Sequence, residues 1–417
     1  MVSPGGKMKF GRYFAPFAVL IVLATLLLTR FVAGALTDRP QELSLIRKAI
    51  DEKELQWSPA ENEISRKDPD TRRALLGSLP DDAEGAPVLE GDPLTQMPGS
   101  LDWRDVDGRN WVTMVKNQGD CGSCVAFGAL GALEARMNIS MGDWKWDPNL
   151  SEEHIFACGG GSCFWGWMVS ASMNYLEDAG APEEECFPYV TWDASCSETC
   201  ADWEDHKVEV RDWAWVANTQ SAIKAQLSEG PLTTTMDVYT DFFYYGSGVY
   251  EHAWGSYEGG HCITLIGWDD TQGCWICKNS WGWGWGESGY FRIAYGNSGI
   301  GSSTSVMELY PMMRIFTDKA SYFPGELHTL SVQLVNPGDA YTARVKIRIR
   351  FPDGSDHTVY SNVHSIPAGA SFTRDNFMTL TIPAGAAAGT YSWYAAILDS
   401  GGSDTRSFDI CSFDVEL

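Results

Sequence analysis

The sequence predicts two folded regions in series: an α+β region of two lobes, one helical and one β-rich with a cleft between them, and then an all-β sandwich. Three observations carry this. Between about residues 97 and 311, helical periodicity comes first and strand-like alternation comes later, which places helices and strands in separate layers. After Pro311 the apolar residues alternate with period two between turn signals, the pattern of half-buried strands. The 417 residues are also long enough for more than one core.

At the N-terminus, Lys7, Lys9 and Arg12 precede an apolar run from Phe14 to Leu28, and Ala33-Gly34-Ala35 follows. This is the pattern of a secretory signal over residues 1–35. The run is short for a bilayer span, which takes about 20 residues, so a cleaved signal is favoured over a signal anchor. Residues 36–96 are charged. They read as two short amphipathic helices, one around Leu43–Ile50 and one around Asp70–Gly77, followed by an acidic linker from Pro80 to Pro98.

In region 97–311, Ala126, Leu130, Leu133 and Met137 recur on one helical face immediately after Cys124. Ser151 caps a helix that opens with Glu152 and Glu153. Further helices run from Met168 to Leu176 and from Ser221 to Leu227, the latter closed by Gly230-Pro231. Strands are expected at Leu232–Val238, His261–Trp268, Trp275–Lys278, Tyr290–Tyr295 and Ser305–Tyr310. In region 312–417, Leu330, Val332 and Leu334 alternate with polar residues. So do Val345, Ile347, Ile349 and Phe351, and later Tyr391, Trp393, Ala395 and Ile397. With turns at Asn336-Pro337-Gly338, Pro352-Asp353-Gly354 and Pro383-Ala384-Gly385, the pattern reads as an immunoglobulin-like sandwich. It contains no catalytic constellation. Its expected uses are contact with a cell-surface ligand, substrate docking or stabilisation.

A formal charge of −25 argues against nucleic acid or an anionic membrane as partner, and suits attraction of basic molecules. Eleven cysteines imply an oxidising compartment, and the odd count leaves at least one thiol unbridged. Cys274 and Cys277 form a C-x-x-C, but on a strand their side chains face opposite ways. No metal or cofactor is therefore expected.

The chemistry concentrates in Asn117-Gln118-Gly119-Asp120-Cys121-Gly122-Ser123-Cys124-Val125-Ala126-Phe127. Cys124 sits at a helix N-terminus, where the macrodipole favours thiolate over thiol. A sulfur nucleophile also needs an imidazole, a group to orient it, and a donor for a developing oxyanion. His261 in the strand-like Gly259-Gly260-His261-Cys262, Asn279 in Lys278-Asn279-Ser280-Trp281-Gly282, and Gln118 supply these in turn.

These three blocks, in this order, resemble the papain-like cysteine peptidases over about residues 97–311. In that family His and Asn follow the nucleophile by roughly 130–150 residues. The resemblance implies a papain-like two-lobed domain with Cys124 as nucleophile, His261 as its acid/base and Asn279 as orienter. It also implies Gln118 as oxyanion donor, with Trp281 shielding the His–Asn hydrogen bond. Polypeptides would be the substrates, hydrolysed through a thioester. Substrate binding is expected at Gly166, Trp165, Trp167, Met168 and Gly260, with Thr235 and Gly259 nearby. By the same resemblance, Cys121 pairs with Cys163. Cys158 pairs with one of Cys186, Cys196 or Cys200, leaving the other two for each other. Residues 36–96 would form an inhibitory prosegment, similar to the short ones of some prokaryotic members.

Two positions depart from the family. Val125 stands where Trp or Tyr is usual. Cys163-Phe164-Trp165-Gly166 replaces Cys-Asn-Gly-Gly, and Trp165 is expected to crowd or reshape the cleft. The favoured reading is a secreted cysteine endopeptidase made as a zymogen. The alternatives are a surface binding or adhesion protein on a peptidase-like scaffold, and a thiol transpeptidase.

Overall fold

The centre of the molecule is the helix Cys124–Met141, and its glycines explain where it sits. A Cβ on Gly128 would lie 2.7 Å from Cys262 Sγ, and one on Gly131 would lie 2.5 Å from Thr264 Oγ1. Only glycine lets the helix approach the strand Tyr257–Asp269 this closely. The first helical turn is thereby pressed against the strand that carries His261. The predicted apolar face is buried, but so are Glu134, Arg136 and Asn138, so this helix is enclosed nearly all round. Gly142 ends it in the left-handed conformation, with φ 66°.

The computed structural model describes residues 39–81, 86–91 and 97–416. The expected signal over 1–35 lies outside the described residues. Among the described residues, no helix is long and apolar enough to cross a membrane. The helices Glu152–Gly159 and Val169–Asp178 pack beside the central helix to form the helical lobe. Ser151 caps the first as expected, accepting from the His154 N–H at 2.9 Å. Disulfides Cys121–Cys163, Cys158–Cys196 and Cys186–Cys200 stitch this lobe.

The second lobe is built on a ten-stranded sheet. Its central order is Tyr290–Ala294, Cys274–Lys278, Tyr257–Asp269, Leu232–Tyr239, Thr304–Leu309 and Val210–Val216. Both ends of the sheet are completed by residues from before position 97. Trp57–Pro59 pairs with Tyr245–Tyr250 at one end, and Val88–Leu89 pairs with Val210–Val216 at the other. Neither short strand is visible as a pattern, because two or three residues carry no periodicity.

The sandwich pairs a three-stranded sheet (Met312–Thr317, Leu327–Val335, Ser371–Thr381) with a five-stranded one ordered Ser321–Tyr322, Thr405–Val415, Gly389–Leu398, Tyr341–Arg350 and Asp356–Ile366. Leu330, Val332, Val345, Ile347, Trp393, Ala395 and Ile397 share its core, as the alternation predicted. The sandwich docks on the helical lobe through a shared apolar cluster that includes Met312, Val335 and Phe408, and through charged side chains. Arg406 and Lys207 both pair with the fully buried Glu209, and Arg314 pairs with Asp143.

Candidate active site

Cys124 is the first residue of the central helix and is completely buried. The backbone N–H of Cys262 points at its sulfur, with N–Sγ 3.5 Å. This contact fixes the thiol beside the peptide that follows His261. On the same strand, His261 Nε2 lies 2.8 Å from Asn279 Oδ1. Among the described residues, the Nδ1 atom of this buried imidazole has no hydrogen-bond partner, and it is the nitrogen left for other chemistry. Trp281 lies over the imidazole, with ring centroids 4.7 Å apart, and is itself 2 % exposed. It seals the His–Asn contact from water, and a hydrogen bond in such a dry setting is strengthened.

Gln118 is held by both ends of its side chain. Its Oε1 accepts from Ser280 Oγ at 2.7 Å, so its Nε2 is turned toward Cys121 O at 2.7 Å and Leu75 O at 3.0 Å. Tyr189 braces the same loop by donating to Gln118 O at 2.8 Å and meeting Ser123 Oγ at 2.6 Å. Sequence reasoning alone misses both Ser280 and Tyr189. Ser280 carries a signal, since it directly follows Asn279. Tyr189 carries none.

Residues 75–79 cover this group. Trp167 N donates to Gly77 O at 2.7 Å, Leu79 N to Trp167 O at 3.0 Å, and Ser78 N to Gly260 O at 3.1 Å. Ser78 and Trp167 pair in the parallel sense. The approach is too close for any side chain at Gly77, where a Cβ would lie 1.7 Å from Gly122 O. Gly166, at φ +82°, faces Gly77 O with the same restriction at 2.0 Å. The Leu75 carbonyl thus accepts from Gln118 Nε2, while Gly77 lies over the thiol.

Burial under this segment sets the protonation states. Desolvation pushes the Cys124 thiol up to about 11, against the opposing N–H groups of Cys262 and Gly77. Desolvation also pulls His261 down to about 4, opposed by its hydrogen bond to Asn279. Burial at Cys124 therefore works against what the helix N-terminus favours. With the segment in place, both groups are uncharged near neutral pH.

A buried charge network underlies the site. Lys116 Nζ donates to Glu134 at 2.9 Å and Glu152 at 2.7 Å, and Thr113 joins Glu134 to Lys278. Burial lowers Lys278, next to Asn279 in the chain, to about 8. In sequence these residues look like ordinary solvated charges, and only the fold reveals them as a cluster.

The structure thus brings together Cys124, His261, Asn279, Gln118, Trp281, Gly166, Trp167 and Gly260. Gly259 borders the covering segment, with Leu76 Cβ 3.0 Å from where its Cβ would be. Met168 is 41 % exposed at the start of its helix, and Thr235 is buried on the strand opposite Cys262. Trp165 corrects an expectation. It is 73 % exposed and stacks edge-on against Phe164 at 4.7 Å, so it does not crowd the cleft. Ser162 and Gly166 close a tight hairpin with mutual backbone hydrogen bonds, and residues 164 and 165 are its outward tip.

The family model described as papain family cysteine protease matches residues 97–309. A second model, the NPCBM-associated NEW3 domain of alpha-galactosidase, matches residues 322–397. Cathepsin B-like CP3 of Giardia intestinalis is 36% identical over 213 residues, which is 48% of this chain and 70% of that protein. Fruit bromelain of Ananas comosus is 33% identical over 236 residues, 55% of this chain and 64% of that protein. Among solved structures, proCathepsin B S9 from Trypanosoma congolense superposes with a TM-score of 0.57 at 22% identity, covering 63% of this chain and 96% of the other. Procathepsin L2 proteinase from the Tenebrio molitor larval midgut gives a TM-score of 0.58 at 24% identity, with coverages of 66% and 91%. These two likenesses are of fold.

Proposed function

The chain belongs to the papain family of cysteine proteases, and from that premise we propose a secreted endopeptidase made as a zymogen, with residues 36–96 as its inhibitory prosegment and linker and 97–311 as its catalytic domain. One observation carries the reading most. The Cys262 N–H on Cys124 Sγ, the His261–Asn279 hydrogen bond and the Gln118 amide all converge beneath one covering strand.

In this reading, removal of residues 75–79 rehydrates the cleft and lifts the desolvation that keeps Cys124 and His261 neutral. The proton of Cys124 then passes to the free Nδ1 of His261, and Asn279 holds the imidazolium in place. The thiolate attacks a peptide carbonyl, forming a C–S bond, and the carbonyl π electrons move onto oxygen near Gln118 Nε2. Collapse of that intermediate breaks the C–N bond, and the leaving amine takes its proton from the imidazolium. Water, deprotonated by the neutral imidazole, cleaves the thioester, releases the acid and restores the thiol.

The parallel pairing of Ser78 with Trp167 supports how the inhibitor survives. A segment lying against Trp167 in one chain direction presents its carbonyls differently from a substrate lying in the other. The test is peptide mapping after treatment with a thiol-directed epoxide, on protein whose N-terminal segment has been removed. Adduct at Cys124, lost in His261→Ala, is the expected result. An unlabelled Cys124 in the processed protein would overturn the reading.

A further inference from the structure

We propose that Glu258 forms a subsite for a basic side chain on the leaving-group side of the scissile bond, which makes peptides with Arg or Lys at that place the preferred substrates. The inference rests on the peptidase reading above and adds a substrate class to it.

Glu258 lies at the start of the strand Tyr257–Asp269, just before Gly260, whose carbonyl binds the covering segment. Its carboxylate is fixed. Oε1 accepts from Thr240 Oγ1 at 2.6 Å, and the side chain is only 8 % exposed. Oε2 accepts from Arg73 Nε at 2.7 Å. A guanidinium therefore already occupies the place in the covered form.

The course of the covering segment locates this place along the cleft. Arg73 meets Glu258, Leu75 meets Gln118, Gly77 lies over Cys124, and Leu79 pairs with Trp167. Glu258 is thus across the thiol from the Gly166–Trp167 segment. If that segment takes the acyl half of a substrate, Glu258 faces the leaving half.

Physical chemistry then favours a cation. When Arg73 departs, Thr240 still holds the carboxylate where it met the guanidinium, and Oε2 is left without its cation. A desolvated charge without a partner is costly, and an arriving guanidinium or ammonium relieves that cost. The other contact of this kind, Lys67–Asp120, joins side chains 28 % and 53 % exposed, and its carboxylate is far less buried. The formal charge of −25 adds long-range attraction for basic peptides.

The experiment uses the full chain after processing, with internally quenched peptides that differ only by Arg, Lys, Gln or Glu at each of the first few positions after the scissile bond. Epoxide titration of Cys124 gives the active fraction of every preparation, so a poorly folded variant is not mistaken for an altered one. The expected result is a kcat/KM preference of Arg over Gln of about tenfold or more at one of these positions, as a charge-assisted hydrogen bond allows. In Glu258→Gln the Arg/Gln ratio should fall toward one, and in Glu258→Lys the Glu peptide should overtake the Arg peptide. A ratio near one in the unmodified enzyme overturns the proposal while leaving the peptidase reading intact. So does a preference that persists in Glu258→Gln. Absence of both labelling and cleavage overturns the two together.

Discussion

The peptidase domain is gripped by two other parts of its own chain, and the grips are built differently. The N-terminal segment pairs its backbone in the cleft through Gly77, Gly166 and Gly260, buries Ile46, Trp57, Ile64 and Leu75 against the domain's aromatic core, and adds ion pairs from Arg73 and Lys67 whose basic partners stay partly exposed. The sandwich is held by a buried apolar cluster in which Met312, Val335 and Phe408 meet Met141, Met307 and Leu309, and by ion pairs, with Glu209 fully buried between Lys207 and Arg406. A backbone hydrogen bond contributes little net free energy, because water replaces it on release. A buried charge that loses its partner is heavily penalised. Both grips bury apolar side chains, so what separates them is the polar part, and it is the cheaper to break in the first.

Breaking the second grip should have the largest effect. Arg406→Ala leaves Glu209 with Lys207 alone, and we expect a loss of about 3 kcal/mol, the low end of what removing one partner of a buried pair costs. Chemical denaturation measures it. Adding Glu209→Gln to the same chain should recover part of the loss, because the orphaned charge is then gone. If Arg406→Ala costs no more than a surface substitution, the contrast between the grips is wrong.

Asp409, paired with Arg314 inside the sandwich, tests the cost of a buried charge through pH. Burial raises its carboxyl from 3.8 to about 6, more than the Arg314 charge lowers it. A carboxyl raised on folding contributes stability at acid pH that is lost as pH climbs through its folded value. Stability should therefore fall by about 2–3 kcal/mol between roughly pH 4 and 6 on this account. Glu183, raised to about 7 by burial and by Asp409, extends the fall upward. Asp409→Asn should flatten the lower part of that slope in melting curves across pH, and an unchanged slope would assign it to other groups.

The first grip is broken by one methyl-bearing side chain. Gly77→Val places carbon where Gly122 O already stands, so the covering strand cannot seat. Each 1.4 kcal/mol of lost docking is about tenfold in exposure of the cleft. The full-length variant should accordingly take an epoxide at Cys124 about tenfold faster or more than the parent chain. Equal rates would mean that residues 75–79 do not control access.

What is legible in the sequence follows the same division. The chemistry-bearing residues lie in short blocks whose residue types are required, so Gln118, Cys124, His261 and Asn279 stand out by residue type and spacing alone. The lobe order and the sandwich follow from periodicity, and the Cys121–Cys163 bridge from the resemblance. What stays hidden depends on distant parts of the chain meeting. Trp57–Pro59 and Val88–Leu89 become strands only because a sheet edge awaits each. Lys116, Glu134 and Lys278 are charges that a solvated surface would equally explain. At Cys124 the helix N-terminus is a local feature that the sequence shows, whereas the burial that raises the thiol depends on distant parts of the chain.

Trp165 supplies the smallest effect. Its side chain is 73 % exposed at the tip of a hairpin whose closing hydrogen bonds are all backbone, between Ser162 and Gly166. Trp165→Ala should therefore change stability by about 0.5 kcal/mol or less, as surface substitutions do. Large exposed aromatic surface beside a cleft still has a use, because it offers area at low conformational cost to a passing chain. Peptides long enough to run past Gly166 toward the hairpin should show a raised KM in Trp165→Ala, with kcat little altered, and short peptides should show no change. A fall in kcat for short peptides would place the indole against the reacting bond after all, and the outward tip would then be a feature of the covered form alone.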